Sequence, residues 1–280
     1  MRGSRLWLVV GLIAVLAAAT VAVGCGDSDD ETSGSTDTAD LGLLTEGTLL
    51  VGTDAPYPPF EIGTPEGGDF SGFDKDTMDA IAEKLGVTPE YQNSAFDTIF
   101  RDVASGQFDI VAAASTITPG REKTVDFSDP YYEAQQALVV AEDSDIASVD
   151  DLSGEIVGAQ QGTTGEAYAN DETDASEVRG FAKGADALAA VTTGQVAAAI
   201  VDQPFAADAV EKQGGIVIAE EIPTNELYGF PTAPGAPLLA AVNDALAELK
   251  EDGTLNDLYQ EYFSTDAPDN VINGTNELAG

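Results

Sequence analysis

Ala112–Asp129 reads AAASTITPGREKTVDFSD. An apolar strand signal runs into a turn of small hydroxyl residues, Ser115, Thr116 and Thr118, and then into a single arginine, Arg121. The chain carries 11 Lys+Arg against 50 Asp+Glu, so a cation at this turn serves no general need for solubility. A guanidinium presents a planar fork of donors that matches a carboxylate, and hydroxyls and backbone N–H groups beside it complete an anion cradle. A surface ion pair between Arg121 and Asp126 or Glu122 fits the same spacing. The stretch alone leaves both readings open.

Outward from this stretch the chain alternates helix and strand signals. Thr48–Thr53 is a short apolar strand, followed by Asp54-Ala55-Pro56-Tyr57-Pro58-Pro59-Phe60, a loop stiffened by three prolines. Phe73, Thr77, Met78, Ile81 and Leu85 recur at helical spacing before a Gly86 stop. Val87–Gln92 reads as a strand, Phe96–Ser105 as a helix and Phe108–Ala113 as a buried strand. The alternation predicts α/β units around largely parallel sheets.

The second half repeats this grammar. Ser105-Gly106-Gln107 ends a helix and a strand then runs to Ala114; Thr193-Gly194-Gln195 ends another and its strand runs to Asp202, at the same seven-residue step. Two units of one plan each present a strand C-terminus, where open α/β sheets place ligands. Between them, Gln160-Gln161-Gly162-Thr163-Thr164-Gly165 leads from a strand into a helix, and such a turn either caps the helix or aims free N–H groups at an anion. Asp202, just before Gln203-Pro204, reads as an N-cap or as a free carboxylate at the strand end. Ala137–Ala141 and Leu227–Pro231 read as apolar connectors that form a two-strand hinge if they lie side by side.

The formal charge of −39 makes nucleic acid and anionic lipid surfaces poor partners. It fits a salt-adapted host or simply an acidic extracellular protein. The absence of histidine removes the commonest general base and imidazole metal sites, and one cysteine excludes an internal disulfide. No metal and no cofactor is expected. Arg2 and Arg5 precede the apolar run Leu6–Val23, the layout of an export signal over 1–24. From Cys25 to residue 46 an acidic stretch without a packed core reads as a solvated leash; as a coil, 26–40 spans about 20 Å.

Thr53–Phe60, Ser71-Gly72-Phe73-Asp74, Thr116–Arg121 with Val125–Tyr132, Gln161–Thr164 and Ala245–Tyr259 together resemble the polar amino-acid-binding proteins of ABC importers. These are the solute-binding proteins of family 3, relatives of the ligand core of ionotropic glutamate receptors. The resemblance runs in order over Gly47–Phe263. It implies a two-lobe, periplasmic-binding-protein-like type II α/β fold with a two-strand hinge: one lobe from 47–137 and 231–264, the other from 138–230, and a flexible tail over 265–280. It also implies the site. Arg121 would hold a ligand α-carboxylate with Thr116 and an N–H of Thr163 or Thr164, and Asp202 with the carbonyl of Ala114 would take the α-ammonium. Tyr57 and Phe96 look like aromatic walls, and Asp54 and Gln160 stand where the side-chain tip is read. Ala22-Val23-Gly24-Cys25 resembles a lipobox, which makes Cys25 the lipidated first mature residue and anchors the protein outside the cytoplasm.

The expected function is therefore that of an anchored, monomeric binding protein that hands a free amino acid, glutamine or a basic one, to an ABC permease. No catalytic residue is assigned. The rivals are a cyclohexadienyl or arogenate dehydratase-like enzyme on the same scaffold, with Glu133 or Glu166 as the acid, and the ligand-sensing subunit of a signalling system.

Overall fold

The computed structural model describes residues 41–276, so the expected signal, Cys25 and nearly all of the leash lie outside the described residues. The chain opens with β1 (Thr48–Thr53), α1 (Phe73–Leu85), β2 (Thr88–Asn93), α2 (Phe96–Ala104), β3 (Ile110–Val111) and β4 (Asp126–Phe127). There follow β5 (Tyr132–Ala141), β6 (Ile156–Gln160), α3 (Thr164–Asp171), β7 (Glu177–Phe181), α4 (Gly184–Thr192), β8 (Ala198–Asp202), α5 (Gln203–Gln213) and β9 (Ile216–Tyr228). The chain then returns through β10 (Pro231–Thr232), α6 (Leu238–Glu251), α7 (Thr254–Phe263) and the short α8 (Asp269–Ile272).

Two five-stranded sheets result, ordered β2-β1-β3-β10-β4 and β7-β6-β8-β5-β9. Within each, β1 with its two neighbours and β6 with its two neighbours are parallel. The expectation of largely parallel sheets needs correction, because β10 and β5 run antiparallel to the strands they meet. Those are the strands next to the points where the chain passes between sheets, and a chain that goes out and comes back must reverse direction once.

The crossings are adjacent. Tyr131 N donates to Tyr228 O at 3.0 Å and Ser128 N to Phe230 O at 3.1 Å, while Tyr132 pairs with Tyr228 in the β5–β9 ladder. The expected connector Ala137–Ala141 is instead the far half of β5, where Ala137 pairs with Val201 and Glu221. The two strands of the crossing are thus 128–132 and 228–230. Aromatic packing stiffens the place: Tyr131 stacks on Phe230 with centroids 3.9 Å apart, and Phe60, Phe73, Tyr132, Tyr259 and Phe263 join it in one buried cluster.

The repeated grammar is real at the backbone. Ser105 N, Gly106 N and Gln107 N donate to the carbonyls of Arg101, Val103 and Asp102; Thr193 N, Gly194 N and Gln195 N donate to those of Ala189, Val191 and Ala190. The two glycines have φ of +78° and +69°, the left-handed conformation that closes a helix C-terminus and costs a side-chain-bearing residue. Each helix is thereby closed by the same hydrogen-bond pattern before the strand that follows.

Two expected flexible ends are shorter than the sequence suggests. Leu41 is buried in the core of the first sheet and Leu44 N donates to Asp109 Oδ1, so the leash stops before residue 46. In the tail, Val271 on α8 is fully buried and Asn276 N donates to Asp129 Oδ1 at 2.8 Å. A single apolar residue in a polar stretch is enough to dock it.

Candidate functional site

Strand ends and helix starts of both sheets converge on one small cavity. From the first sheet come Asp54, Tyr57, Glu61, Phe96, Ala113 and Ala114; from the second come Gln160, Thr163 and Asp202. Seven of the ten sequence-predicted binding residues therefore line one wall or another. Thr116, Arg121 and Thr164 do not line it; they form a cluster next to it.

Asp202 closes β8 and precedes α5, yet its side chain makes no capping hydrogen bond. It is turned instead towards the first sheet. Tyr57 Oη donates to its Oδ2 at 2.7 Å and Gln136 Nε2 to its Oδ1 at 2.5 Å. Burial, and then the charge of Glu226, push its pKa up to about 6. Tyr57 reaches it from the proline-stiffened loop, its ring stacked on Phe205 of α5 at 4.2 Å.

Arg121 opens a single helical turn, Arg121–Lys123. It pairs with neither Asp126 nor Glu122: among the described residues it has no carboxylate at ion-pair distance. Its Nη1 donates to Thr116 O at 2.7 Å and its Nη2 to Gly162 O at 3.1 Å, which links the two sheets' loops. The guanidinium lies over the rings of Phe100 and Phe96, 4.5 and 5.2 Å from their centroids. Burial lowers its pKa to about 10, against the charges of Glu226 and Asp202, which favour the cation. Phe96 is a cavity wall, so Arg121 packs on a lining residue without lining the cavity itself.

Thr163 is the N-cap of α3, accepting from Glu166 N at 3.1 Å, while Glu166 reaches back to Gly162 N at 2.8 Å. The glycine-hydroxyl turn is a built helix cap, and Glu166 has that structural job and does not line the cavity. Gly165 is required for close approach, since a Cβ there would stand 2.9 Å from both Gln136 Oε1 and Ile200 O. Thr164 Oγ1 and Thr116 Oγ1 both donate to Glu226 Oε2, at 2.8 and 2.6 Å, and Gln136 Nε2 donates to Glu226 Oε1 at 3.0 Å. A carboxylate of the chain itself thus sits on the two hydroxyls expected to cradle one.

The other end of the cavity is acidic. Asp54 Oδ2 accepts from Gln160 Nε2 at 2.6 Å, and Oδ1 accepts from Lys183 Nζ at 2.5 Å; Lys183 also donates to Ala55 O. Burial raises the Asp54 pKa and the Lys183 ammonium opposes it. Glu61 is buried with both carboxylate oxygens unpartnered, and burial followed by the charge of Asp74 pushes its pKa well above the usual range. Asp74 in turn accepts from Ala114 N at 2.7 Å and Tyr131 Oη at 2.8 Å. That contact holds Ala114 at φ +43°, an unusual conformation for alanine that aims the strand end at the cavity.

Glu61, Lys183, Gln136 and Glu226 were missed by the sequence reading. Glu61 directly follows a quoted motif, and its position beside Phe60 was the available signal. Lys183 had none, since nothing in the sequence brings the loop before α4 to the loop after β1.

Two mixed sheets joined by a double crossing, with a polar and charged cavity between their strand ends, define an α/β binding protein of the periplasmic type II fold. The chain belongs to the bacterial extracellular solute-binding proteins, family 3, whose family model matches residues 49–265. Among its relatives, the L-cystine-binding protein TcyJ of Escherichia coli (strain K12) is 33% identical over 236 residues, covering 81% of this chain and 88% of its own. An ancestral arginine-binding protein bound to arginine is 40% identical with a TM-score of 0.73, over 78% of this chain and 98% of its own. An ancestral arginine-binding protein bound to glutamine is likewise 40% identical, with a TM-score of 0.75 over 79% of this chain and all of its own.

Proposed function

We propose that the protein captures a free polar amino acid, glutamine or a basic one, between two lobes and delivers it to the permease of an ABC importer. One lobe is built on each sheet, and they move about the paired crossings at 128–132 and 228–230. Lipidation of Cys25 would hold the protein at the outer face of the cell membrane as a monomer. The ligand's ammonium goes to Asp202 and its carboxylate to the Arg121, Thr116 and Thr163–Thr164 side. Its side chain lies between Tyr57 and Phe96 with its tip at Asp54 and Gln160.

One observation carries this reading. Asp202 stands in the cavity wall from one sheet, while the other sheet supplies a half-buried guanidinium with no ion-pair partner among the described residues, packed on the cavity-lining Phe96. A zwitterion supplies the two missing partners at once, and burying either pole unpaired would be costly. Because the poles belong to different sheets, closure of the lobes depends on the ligand. The relatives named for cystine and arginine, one arginine-binding protein being bound to glutamine, support an amino acid as the ligand. Glu166 as a helix cap leaves the dehydratase reading without one of its two candidate acids.

A thermal-shift panel of the twenty free amino acids, run after unfolding and refolding to strip any bound ligand, tests the proposal. A ligand at a hundred times its Kd stabilises the folded state by about 2.7 kcal/mol, a shift of several degrees. No shift with any of the twenty would end the amino-acid reading.

A further inference from the structure

A cation of the chain itself is held on the acidic end of the cavity. Lys183 Nζ bridges Asp54 Oδ1 and Ala55 O, so an ammonium from the loop before α4 crosses to the opposite sheet and neutralises the carboxylate that would read a ligand's side-chain tip. The carboxylate is nearly fully buried and the lysine side chain is 31% exposed, which allows its stem to reach in from solvent.

We infer that Lys183 is a specificity-determining residue: its ammonium, held on Asp54, makes this end of the cavity select a neutral carboxamide-type side chain over a cationic one. The inference rests on the amino-acid reading above and narrows it.

The argument is one of donors and acceptors. A carboxamide offers two N–H donors and one carbonyl acceptor. The site offers an acceptor in the Asp54 carboxylate and a donor in Lys183 Nζ, which spends two of its three N–H groups on Asp54 and Ala55 O. Each side of an amide finds its complement. A guanidinium or ammonium tip has donors only; it would meet Lys183 as a like charge, and such an encounter is unfavourable. Glu61 is a poor source of compensating charge, since burial and then the charge of Asp74 both disfavour its ionised form. A basic ligand must therefore expel Lys183 from Asp54 or bind with its tip facing a cation.

Calorimetric titration of the refolded protein with L-glutamine and with L-arginine tests this, using wild type, Lys183→Met and Lys183→Arg. Wild type is expected to bind glutamine at least tenfold more tightly than arginine. Lys183→Met, which keeps the stem and removes the charge, is expected to shift that ratio at least tenfold towards arginine, while Lys183→Arg keeps the wild-type order. A wild type that prefers arginine overturns the inference without any variant, and so does a ratio unchanged in Lys183→Met. Binding of neither amino acid, nor of any other in the panel, would instead remove the reading on which the inference stands.

Discussion

Tyr57 Oη lies 2.7 Å from Asp202 Oδ2, a hydrogen bond that joins the loop after β1 to the end of β8 and so ties one sheet to the other. The same tyrosine stacks on Phe205, which separates its two roles experimentally. Tyr57→Phe keeps the stack and removes a donor from a half-buried carboxylate, and a hydrogen bond to a charged group is worth about 1.5–3 kcal/mol. Tyr57→Ala removes the ring as well and should cost about 3–5 kcal/mol. Urea unfolding followed by fluorescence is expected to order the proteins as wild type, then Tyr57→Phe, then Tyr57→Ala. Equal stability of the first two would mean that the bond across the cavity contributes nothing.

Arg121 has carbonyl and aromatic partners but no carboxylate at ion-pair distance among the described residues. If it holds the ligand's carboxylate, Arg121→Ala should weaken amino-acid binding by about 2–5 kcal/mol, as expected for removing one member of a buried charge pair. Arg121→Lys should recover little, because a point charge cannot reproduce the fork that spans Thr116 O and Gly162 O. Titration calorimetry at constant salt measures both. Unchanged affinity in Arg121→Ala would place the anion site elsewhere.

Much of this arrangement was legible in the chain. The segments Phe73–Leu85 and Thr254–Phe263 were readable because an apolar face recurs at helical spacing, and glycines stop α1 and precede α7. Gly106 and Gly194 revealed the repeated unit because a left-handed helix end leaves few alternatives to glycine. The long strands β5 and β9 were hidden for opposite reasons. β5 is buried on both faces over much of its length and so lacks alternation, while β9 carries Glu220, Glu221 and Glu226 and reads as a loop. The motif residues around Arg121 and Asp202 could be found from resemblance. Lys183 could not, since its role comes from a contact between positions 129 residues apart.

The buried carboxylates make a prediction for pH. The pKa values of Asp202 and Asp74 are pushed up to about 6, both chiefly by burial, against about 4 in an unfolded chain. Between pH 4 and 6 the unfolded chain has released these protons while the folded chain retains them, so stability falls as pH rises through that window. At 1.36 kcal/mol per pKa unit, Asp202 alone accounts for at most about 3 kcal/mol. The melting temperature of wild type should therefore drop from pH 4 to 6 more steeply than that of Asp202→Asn. Replacing Glu226 with Gln should move the wild-type drop to lower pH, since Glu226 is the second cause of the Asp202 shift. Parallel curves for wild type and Asp202→Asn would remove Asp202 as a titrating group in this range.

The docked tail gives the last prediction. Val271 is fully buried against the core of the first sheet, although it sits in a stretch whose composition reads as solvated. Its two methyl groups are worth about 0.8 kcal/mol each on burial, with a further cost for the space they leave, so Val271→Ala should destabilise the protein by about 2 kcal/mol. Val271→Asp should go further and release the segment, because an unpaired carboxylate is not tolerated in that position. Hydrogen exchange is expected to show the amides of Val271, Ile272 and Asn273, which donate to Pro268 and Asp269 carbonyls, protected in wild type and exchanging freely in Val271→Asp. Since none of these residues touches the cavity, amino-acid affinity should stay as in wild type; a loss of affinity in Val271→Ala would mean that the tail helps set the position of the lobes.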